Sequence, residues 1–429
     1  MLKFLIPIYP DESVYSYLCR LYNHSGFLCH RHFAEEVFAR WNESPDYNFI
    51  NVLNDGCKSA LNGDISLESL IIGHTLFAYY ARFLPKERRD RALNHALLNK
   101  PLLHQSLPVH TNVENYYLRY CPKCVVADRK QYGESYFHLQ HQLPYIHVCS
   151  KHCCKLLDTR LPNTKRSATL ISLEQLLAED GIGKAVQLEE TDINVQVARY
   201  IQHVQEQPLN FDTHTLVGDY LTNNLKSPYV SPRGEQRNLV ELEMDMADYF
   251  KELGYYDLTK QRLAYLFRNQ SFNPYHVMLT AIFEGISPQD LCTFAGYTEQ
   301  KTVIFDRKVR ELSQQGKGCY EIGRIMKVNH EVIRQILMGN YDKPKNNFVP
   351  YKSQKWDWKT IDDNCCQEFE NKVKAFVADN PKGLISRRVV AELFGLQDKS
   401  LRNLPMLQQI IRNYKNLRKR QNDKTSQPD

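Results

Sequence analysis

Two short motifs are the residues of this chain best suited to bind a metal ion. The first reads Cys121-Pro122-Lys123-Cys124, and after 24 further residues the second reads Cys149-Ser150-Lys151-His152. Thiolate sulfur and imidazole nitrogen are the ligands that tetrahedral zinc takes, two from each closely spaced pair. Three cysteines and one histidine leave no open position for water. The spacing therefore predicts one structural Zn²⁺ site rather than a catalytic one.

Other residues compete with this ligand set. Cys153 and Cys154 follow His152 directly, and either could replace it, although the two-residue spacing favours the histidine. A further alternative is a group of unpaired thiols in a reducing cytosol. Three histidines lie between the motifs and are interpreted as groups near the site or on the surface, not as ligands: His138, His141 and His147.

The segment between the two motifs has the composition of a β-hairpin. Gly133 provides a turn, and strand-prone residues follow it: Tyr136, Phe137, Leu139, Leu143 and Tyr145. Aromatic and branched residues bounded by glycine are typical of strands. The sequence therefore predicts a zinc ribbon, in which a small hairpin brings the two ligand pairs together.

The segments around this ribbon are predicted to be helices. Apolar residues recur at helical spacing, for example Val14, Tyr17, Leu18 and Leu21 after a helix start at Asp11. The fold class is predicted to be mainly α and multidomain, with a zinc ribbon inserted after an N-terminal helical domain and helix-turn-helix DNA-binding domains behind it. The predicted ranges are a helical domain 1–115, a zinc-ribbon hairpin 116–160, a helical continuation 161–225, a helix-turn-helix domain 239–340, and a C-terminal helical unit with a basic tail 356–420.

The chain contains 429 residues, of which 42% are hydrophobic and 24% charged, so it is expected to be globular. Its twelve cysteines are scattered, which does not suggest a disulfide scaffold. No apolar run approaches the roughly 20 residues of a membrane span. We therefore expect a bacterial cytoplasmic protein, associated with the nucleoid and not with a membrane.

A second informative stretch runs from Val309 to Leu337. Ile322, Ile325 and Met326 would form the apolar face of one helix, which a turn at Val328 would connect to the next helix. The small Gly323 would let the two helices approach closely, and Ile333, Ile336 and Leu337 would bury the second one. This is the pattern of a helix-turn-helix, although an ordinary packed helical hairpin has the same core.

The outward residues of the second helix are polar and suited to the major groove. Arginine can bind guanine, glutamine can bind adenine, and glutamate can accept from cytosine. Arg334 and Gln335 are predicted to read bases, Asn329 to cap the helix and Lys327 to contact a phosphate. The remaining candidates for DNA contact on this helix are His330 and Glu331.

The C-terminal part of the chain is the most basic. From Lys399 to Lys424 there are eight Lys or Arg residues and one acid. Arg387, Arg388 and Arg402 are predicted to contact DNA, with a merely solvated charged surface as the alternative.

No local catalytic motif occurs in the chain. Residues 181–184 contain two glycines and a lysine but lack the spacing of a phosphate-binding loop, and Ala185 stands where a magnesium-binding hydroxyl would be needed. The chain is therefore predicted not to be an enzyme. A zinc-dependent enzyme is the remaining alternative of that kind, and the closed ligand set argues against it.

The motifs around the ligand pairs resemble the TniQ/TnsD family of transposon target selectors. Those segments are Arg119–Cys124, Tyr132-Gly133-Glu134, Gln142-Leu143-Pro144 and Cys149 to His152. The resemblance extends to Pro10–Ser13 with Tyr17 and Arg20, and to His74–Phe77 with Lys86–Asp90, which are similar to the TnsD branch. Trp358 and Leu404-Pro405 are similar to that branch's C-terminal part.

The resemblance implies a non-catalytic protein of a cut-and-paste transposon. It implies that the chain binds a specific double-stranded DNA attachment site and recruits a AAA+ transposition ATPase, of the TnsC type, which then brings in the transposase. Shorter TniQ proteins instead bridge an RNA-guided CRISPR effector to the ATPase. That adaptor role is the alternative function.

Overall fold

The computed structural model describes residues 5–40, 45–98, 107–108, 117–162, 170–209, 216–270, 273–293, 300–341, 358–379, 385–396 and 398–424. The chain folds into two compact units, residues 1–350 and residues 351–429. Within the described residues the protein is mainly helical, with two small antiparallel sheets of two strands each.

The first unit begins with six helices. They are α1 Val14–Ser25, α2 His30–Val37, α3 Asp55–Asp64, α4 Leu67–His74, α5 Phe77–Ala81 and α6 Lys86–Leu97. Ser13 caps α1 by accepting a hydrogen bond from the Ser16 amide at 3.2 Å, and Gly26 ends it with a φ of 74°. The predicted start at Asp11 is therefore too early, because Asp11 and Glu12 precede the cap.

The zinc-ribbon prediction needs a correction. The elements here are β1 Tyr117–Tyr120, α7 Pro122–Tyr132, a 3₁₀ helix Gln140–Gln142, β2 Val148–Cys149, β3 Cys154–Lys155 and β4 Leu157–Pro162. β1 pairs with β4, and β2 pairs with β3. The segment between the ligand pairs thus begins with a helix, and the residues predicted to form strands after Gly133 are irregular apart from the 3₁₀ helix. Only the second pair lies at a hairpin, which has two residues in each strand.

Local chemistry explains why a helix follows the first ligand pair. Cys121 occupies the N-cap position with an extended backbone, and Pro122 occupies the first helical turn, where its missing amide hydrogen costs nothing. Gly133 then ends α7 with a φ of 84°. The glycine that suggested a hairpin turn is a helix terminator.

Seven helices follow in the same unit. They are α8 Leu173–Asp180, α9 Ile193–Glu206, α10 Val217–Asn224, α11 Leu239–Tyr249, α12 Lys260–Phe267, α13 Pro274–Glu284 and α14 Pro288–Thr293. Buried residues of α9 to α14 pack with those of α5 and α6 in the largest core. Buried residues of α1 and α2 pack with β1, α7 and α8 in a second core.

Three more helices form a smaller cluster at the end of the first unit. They are α15 Lys301–Gln314, α16 Cys319–Met326 and α17 His330–Met338. Their apolar side chains make a separate core of Phe305, Val309, Leu312, Ile322, Ile333 and Ile336. The predicted apolar face is wrong at two positions, because Ile325 is 45% exposed and Leu337 is 36% exposed.

The second unit contains α18 Trp358–Asp379, α19 Arg387–Leu393, a 3₁₀ helix Asp398–Asn403 and α20 Pro405–Lys424. Its core includes Phe369, Val390, Leu401 and Leu404. The buried carboxylate of Asp362 on α18 accepts hydrogen bonds from the Met406 and Leu407 amides at 2.8 and 2.9 Å. A side chain from a distant helix therefore caps α20.

Two predicted features fall largely outside the described residues. The first is the segment between the predicted helix-turn-helix domain and the predicted C-terminal unit, of which residues 342–355 are not described. The second is the basic tail, whose side chains beyond Tyr414 are not described. Among the helices that are described, none is both long and apolar enough to span a membrane.

Candidate metal centre and DNA-contacting helix

Four donor atoms converge between α7 and the β2–β3 hairpin. The sulfur atoms of Cys121, Cys124 and Cys149 and a nitrogen of His152 all lie within 4.8 Å of one another. His152 Nδ1 lies 3.6 Å from Cys121 Sγ, 3.2 Å from Cys124 Sγ and 3.7 Å from Cys149 Sγ. With Zn–S bonds near 2.3 Å, ligand atoms at the corners of a tetrahedron are about 3.8 Å apart. This group could therefore hold a metal ion of tetrahedral preference.

Burial suits this centre to a structural role. The three cysteines are buried and His152 is half-buried. Hydrogen bonds from Cys124 and Cys149 lower the pKa of the Cys121 thiol well below its usual range. A thiolate is the form that binds a metal ion. A buried group of three cysteines and one histidine fits a metal ion that holds chain segments together.

The structure distinguishes the two competing cysteines. Cys153 has a φ of 51°, and its Sγ lies 3.1 Å from Nη2 of Arg199 on α9. Cys154 is fully buried with its Sγ 3.3 Å from that of Cys121. Cys154 thus lies beside one donor, whereas His152 lies within hydrogen-bonding distance of all three cysteines.

A buried arginine connects the segments that carry the two ligand pairs. Arg119 Nη2 donates to the Leu143 carbonyl at 2.9 Å, and Nη1 donates to the Ile146 carbonyl. Gln142 exchanges hydrogen bonds with the backbone of Arg119 in return, at 3.0 and 2.8 Å. Residues just before each ligand pair are therefore hydrogen-bonded to one another. Sequence reasoning did not assign Arg119 or Gln142 a role.

His138 lies between two carboxylates beside the centre. Its Nδ1 is 3.3 Å from Asp11 and its Nε2 is 3.0 Å from Asp128. Burial lowers its pKa, but the hydrogen bonds to both aspartates outweigh burial and raise the pKa to about 9. His138 is thus a charged group that joins the segment before α1 to α7.

A second ion-pair network joins α1 to the end of α7. Arg20 donates to Glu12 at 2.7 Å and to Glu134 at 2.9 Å, and its guanidinium lies 3.5 Å from the centre of the Tyr9 ring. Burial raises the pKa of the Glu12 carboxyl to about 7, although Arg20 lowers it. The separate motifs that carried the family resemblance therefore meet here. Their spacing in the sequence gave no signal that they would.

The candidate DNA-contacting residues lie at the α16–α17 turn. Lys327 is in the left-handed region with a φ of 56°, and the Val328 amide donates to the Gly323 carbonyl at 3.0 Å. A side-chain carbon on Gly323 would lie 2.9 Å from the Val328 carbonyl oxygen, so this close approach needs a very small residue. Asn329 caps α17 by accepting from the Glu331 amide at 3.0 Å.

The residues on α17 differ in how freely they face solvent. Arg334 is 58% exposed and lies 3.7 Å from Glu331, while Gln335 is half-buried and donates to Glu331 at 3.5 Å. His330 stacks on Tyr320 at 4.0 Å between ring centres. Tyr320 is 70% exposed and was not predicted to belong to this surface. Among the α17 residues that were predicted to contact DNA, Arg334 is the most exposed.

The three C-terminal arginines lie in the second unit and are all exposed. Arg387 and Arg388 start α19, and Arg388 pairs with Glu392 at 3.1 Å. Arg402 lies in the 3₁₀ helix between the buried Leu401 and Leu404. Each is accessible to a phosphate or a base.

Comparisons with known proteins cover the N-terminal third of the chain. Residues 4–156 match the TniQ family model. Over 157 residues the chain is 29% identical to transposon Tn7 transposition protein TnsD of Escherichia coli, a match that spans 35% of this chain and 30% of that relative. The matched region contains all four donors of the metal centre, as well as the Arg20 and His138 networks. Over residues 4–156 the chain is therefore similar to the TniQ family, and the resemblance to the TniQ/TnsD family is confirmed.

Proposed function

We propose that this chain is a sequence-specific duplex-DNA-binding target selector of a cut-and-paste transposon. It marks the attachment site and recruits a AAA+ ATPase of the TnsC type, which brings in the transposase. It performs no chemistry itself. The observation that carries the proposal is Arg334 on α17, an exposed arginine on a capped helix-turn-helix. The first third of the same chain matches the TniQ family model.

The geometry of α17 supports base reading. In a helix-turn-helix the second helix enters the major groove, and its outward side chains meet the base edges. The Arg334 guanidinium can donate two hydrogen bonds to guanine, and Gln335 can pair with adenine in the same way. The contact of Arg334 with Glu331 is exposed and worth little, so a base can displace it. Lys327, Asn329, His330 and Glu331 would complete the contact surface.

The metal centre supports the other half of the proposal. We propose that Cys121, Cys124, Cys149 and His152 hold one Zn²⁺ ion, which closes the TniQ domain on itself. The sulfur–nitrogen distances of 3.2 to 3.7 Å match a tetrahedral site. The role of the metal is to fix the domain that meets the ATPase.

Binding of the full-length chain to tiled duplexes from the DNA flanking the transposon tests the proposal. One preferred duplex, with a discrete footprint, is expected. The Arg334→Ala variant should bind that duplex about 10- to 100-fold more weakly and should lose its preference at a single base pair. Binding to unrelated duplexes should change little.

Arg31→Ala is the matched control, because Arg31 is 63% exposed and pairs with Glu35 on one helix face much as Arg334 contacts Glu331. It should bind DNA like the parent protein. Equal weak binding to every duplex would contradict the proposal. If the chain instead co-purifies with an RNA-guided CRISPR effector and ignores free DNA, the adaptor role is correct.

A further inference from the structure

The α16–α17 turn has a counterpart 68 residues later in the second unit. Lys327 and Gly395 both occupy the left-handed region, with φ values of 56° and 62°. The amide of the next residue donates five residues back in each case, from Val328 to Gly323 at 3.0 Å and from Leu396 to Ala391 at 2.8 Å. The two turns therefore have the same backbone hydrogen bonding at the end of their first helix.

The buried positions correspond in the same register. Ile322 matches Val390, and both are fully buried. Ile333 matches Leu401, again fully buried in both, and Ile336 matches Leu404, at 4% and 0% exposure. The residue at the close approach is small in both copies, Gly323 and Ala391. The positions between these buried residues therefore follow one another in the same order in both copies.

Those exposed positions carry the same chemistry. Arg334 and Gln335 of the first copy correspond to Arg402 and Asn403 of the second. Arg402 and Asn403 are both exposed, because they lie between Leu401 and Leu404, which face the core. Each copy thus presents a guanidinium followed by a carboxamide, the two groups that bind guanine and adenine by paired hydrogen bonds.

A third copy of the turn shows that the backbone alone does not create this surface. Gly285, between α13 and α14, has a φ of 71°, and the Ile286 amide donates to the Ala281 carbonyl at 2.9 Å. The position equivalent to Arg334 is Cys292, which is buried with its Sγ 3.8 Å from the Val204 carbonyl. This copy packs into the large core. Of these three turns, those at Lys327 and Gly395 are followed by an arginine and an amide that reach solvent.

The second copy already differs from the first in the helix that carries this pair, which is an α-helix from His330 onward in the first copy. Residues 398–403 form a 3₁₀ helix, and Pro405 starts α20 at the position equivalent to Leu337. The buried Asp362 holds the start of α20 through the Met406 and Leu407 amides. That cap occupies the amides which would otherwise attract a phosphate. It also fixes the chain directly after Arg402 and Asn403.

Resting on the proposed function, we propose that residues 386–404 are a second base-reading unit and that the DNA target is bipartite. Arg402 and Asn403 read one short block of base pairs, and Arg334 and Gln335 read another. Arg402 is then a base-reading residue and not a phosphate contact. Since a phosphate contact needs only charge whereas paired bonds to guanine need the guanidinium fork, the two roles are separable.

Methylation interference and binding to single-base-substituted duplexes test this with the full-length protein. Wild type should show two blocks of sensitive base pairs. Arg402→Ala should abolish sensitivity in one block and weaken specific binding about 10- to 100-fold, and Arg334→Ala should do so in the other block. Arg402→Lys keeps the charge and should nevertheless lose the block. Lys374→Ala, in which an exposed cation of the same unit is removed, should bind within about twofold of wild type.

The outcomes separate the two proposals. If Arg402→Ala weakens binding to all sequences alike, or Arg402→Lys binds normally, Arg402 contacts phosphate and the bipartite proposal is wrong, while the proposed function stands. If wild type prefers no duplex, the proposed function itself fails. Circular dichroism melts of each variant identify any loss that comes from unfolding.

Discussion

The metal centre and the α16–α17 turn both arise from short motifs, but they depend on opposite environments. At the centre, three cysteines are buried and every donor faces another donor. At the turn, a small apolar core supports an arginine that solvent reaches freely. Burial suits the first group to a structural role, and exposure leaves the second available to a ligand. Substitutions at the centre should therefore change stability, and those on the α17 surface should change binding.

The strongest test of this contrast removes a metal ligand. Cys121→Ser should abolish stoichiometric zinc and unfold the TniQ region, because structural zinc contributes on the order of 10 kcal/mol to small metal-dependent folds. Metal analysis and circular dichroism measure both effects. His152→Ala should behave alike, whereas Cys154→Ser should retain the metal. Cys29→Ser, at an exposed cysteine, is the control and should match the parent. Full zinc content in His152→Ala would mean that Cys154 is the fourth ligand.

The charged His138 adds a pH-dependent contribution next to the centre. Its pKa in the folded protein is about 9, above the value near 6.5 of an unfolded chain. The stabilisation is therefore complete below about pH 6.5 and is lost as the pH rises through 9. Up to about 3 kcal/mol of unfolding free energy should disappear across that range.

Denaturant unfolding at several pH values measures this loss. His138→Gln should be less stable at pH 6.5 and should lack this part of the pH dependence. The groups that face His138 are Asp11, Asp128, His141 and Tyr136, and both proteins retain them. His203→Gln, at an exposed histidine, should keep the parental profile. Parallel profiles for His138→Gln and the parent would show that His138 is neutral.

At the turn, a larger side chain should break the close approach of α16 and α17. Gly323→Val would place a carbon 2.9 Å from the Val328 carbonyl oxygen, so the backbone must shift. The expected cost is about 1–3 kcal/mol in unfolding free energy, together with loss of specific DNA binding. Gly73→Val is the control, since no atom lies within 4 Å of the added carbon. Equal stability of the two variants would mean that the turn tolerates bulk.

The smallest expected effect is at the cap of α17. Asn329→Ala removes the side chain that accepts from the Glu331 amide and should cost about 1 kcal/mol in unfolding free energy. Asn340→Ala, just beyond the end of α17, should be silent. Denaturant unfolding and DNA titration, performed on both, show whether weaker binding follows from a less ordered helix. An unchanged stability for Asn329→Ala would assign Asn329 to DNA contact alone.

Short-range features of this protein follow from sequence alone. The residues Cys121, Cys124, Cys149 and His152 were chosen by spacing, and the structure brings their donor atoms together. Asn329 was predicted as a helix cap from its position before an apolar repeat, and it caps α17. Capping and left-handed termination involve only a few neighbouring residues, so a local pattern is enough to predict them.

Features that depend on distant partners were decided by the tertiary structure. The predicted hairpin is absent between the ligand pairs, where α7 is followed by irregular chain. Ile325 is exposed although it lies at apolar spacing, and Arg119 and Arg20 join segments far apart in sequence. The same turn occurs at Lys327 and at Gly285, but the equivalent residues that follow it are exposed in one case and buried in the other. Arg334 faces solvent, whereas Cys292 is packed in the large core, because different elements cover each turn. Periodicity shows which residues share a helix face, but only packing determines what that face meets.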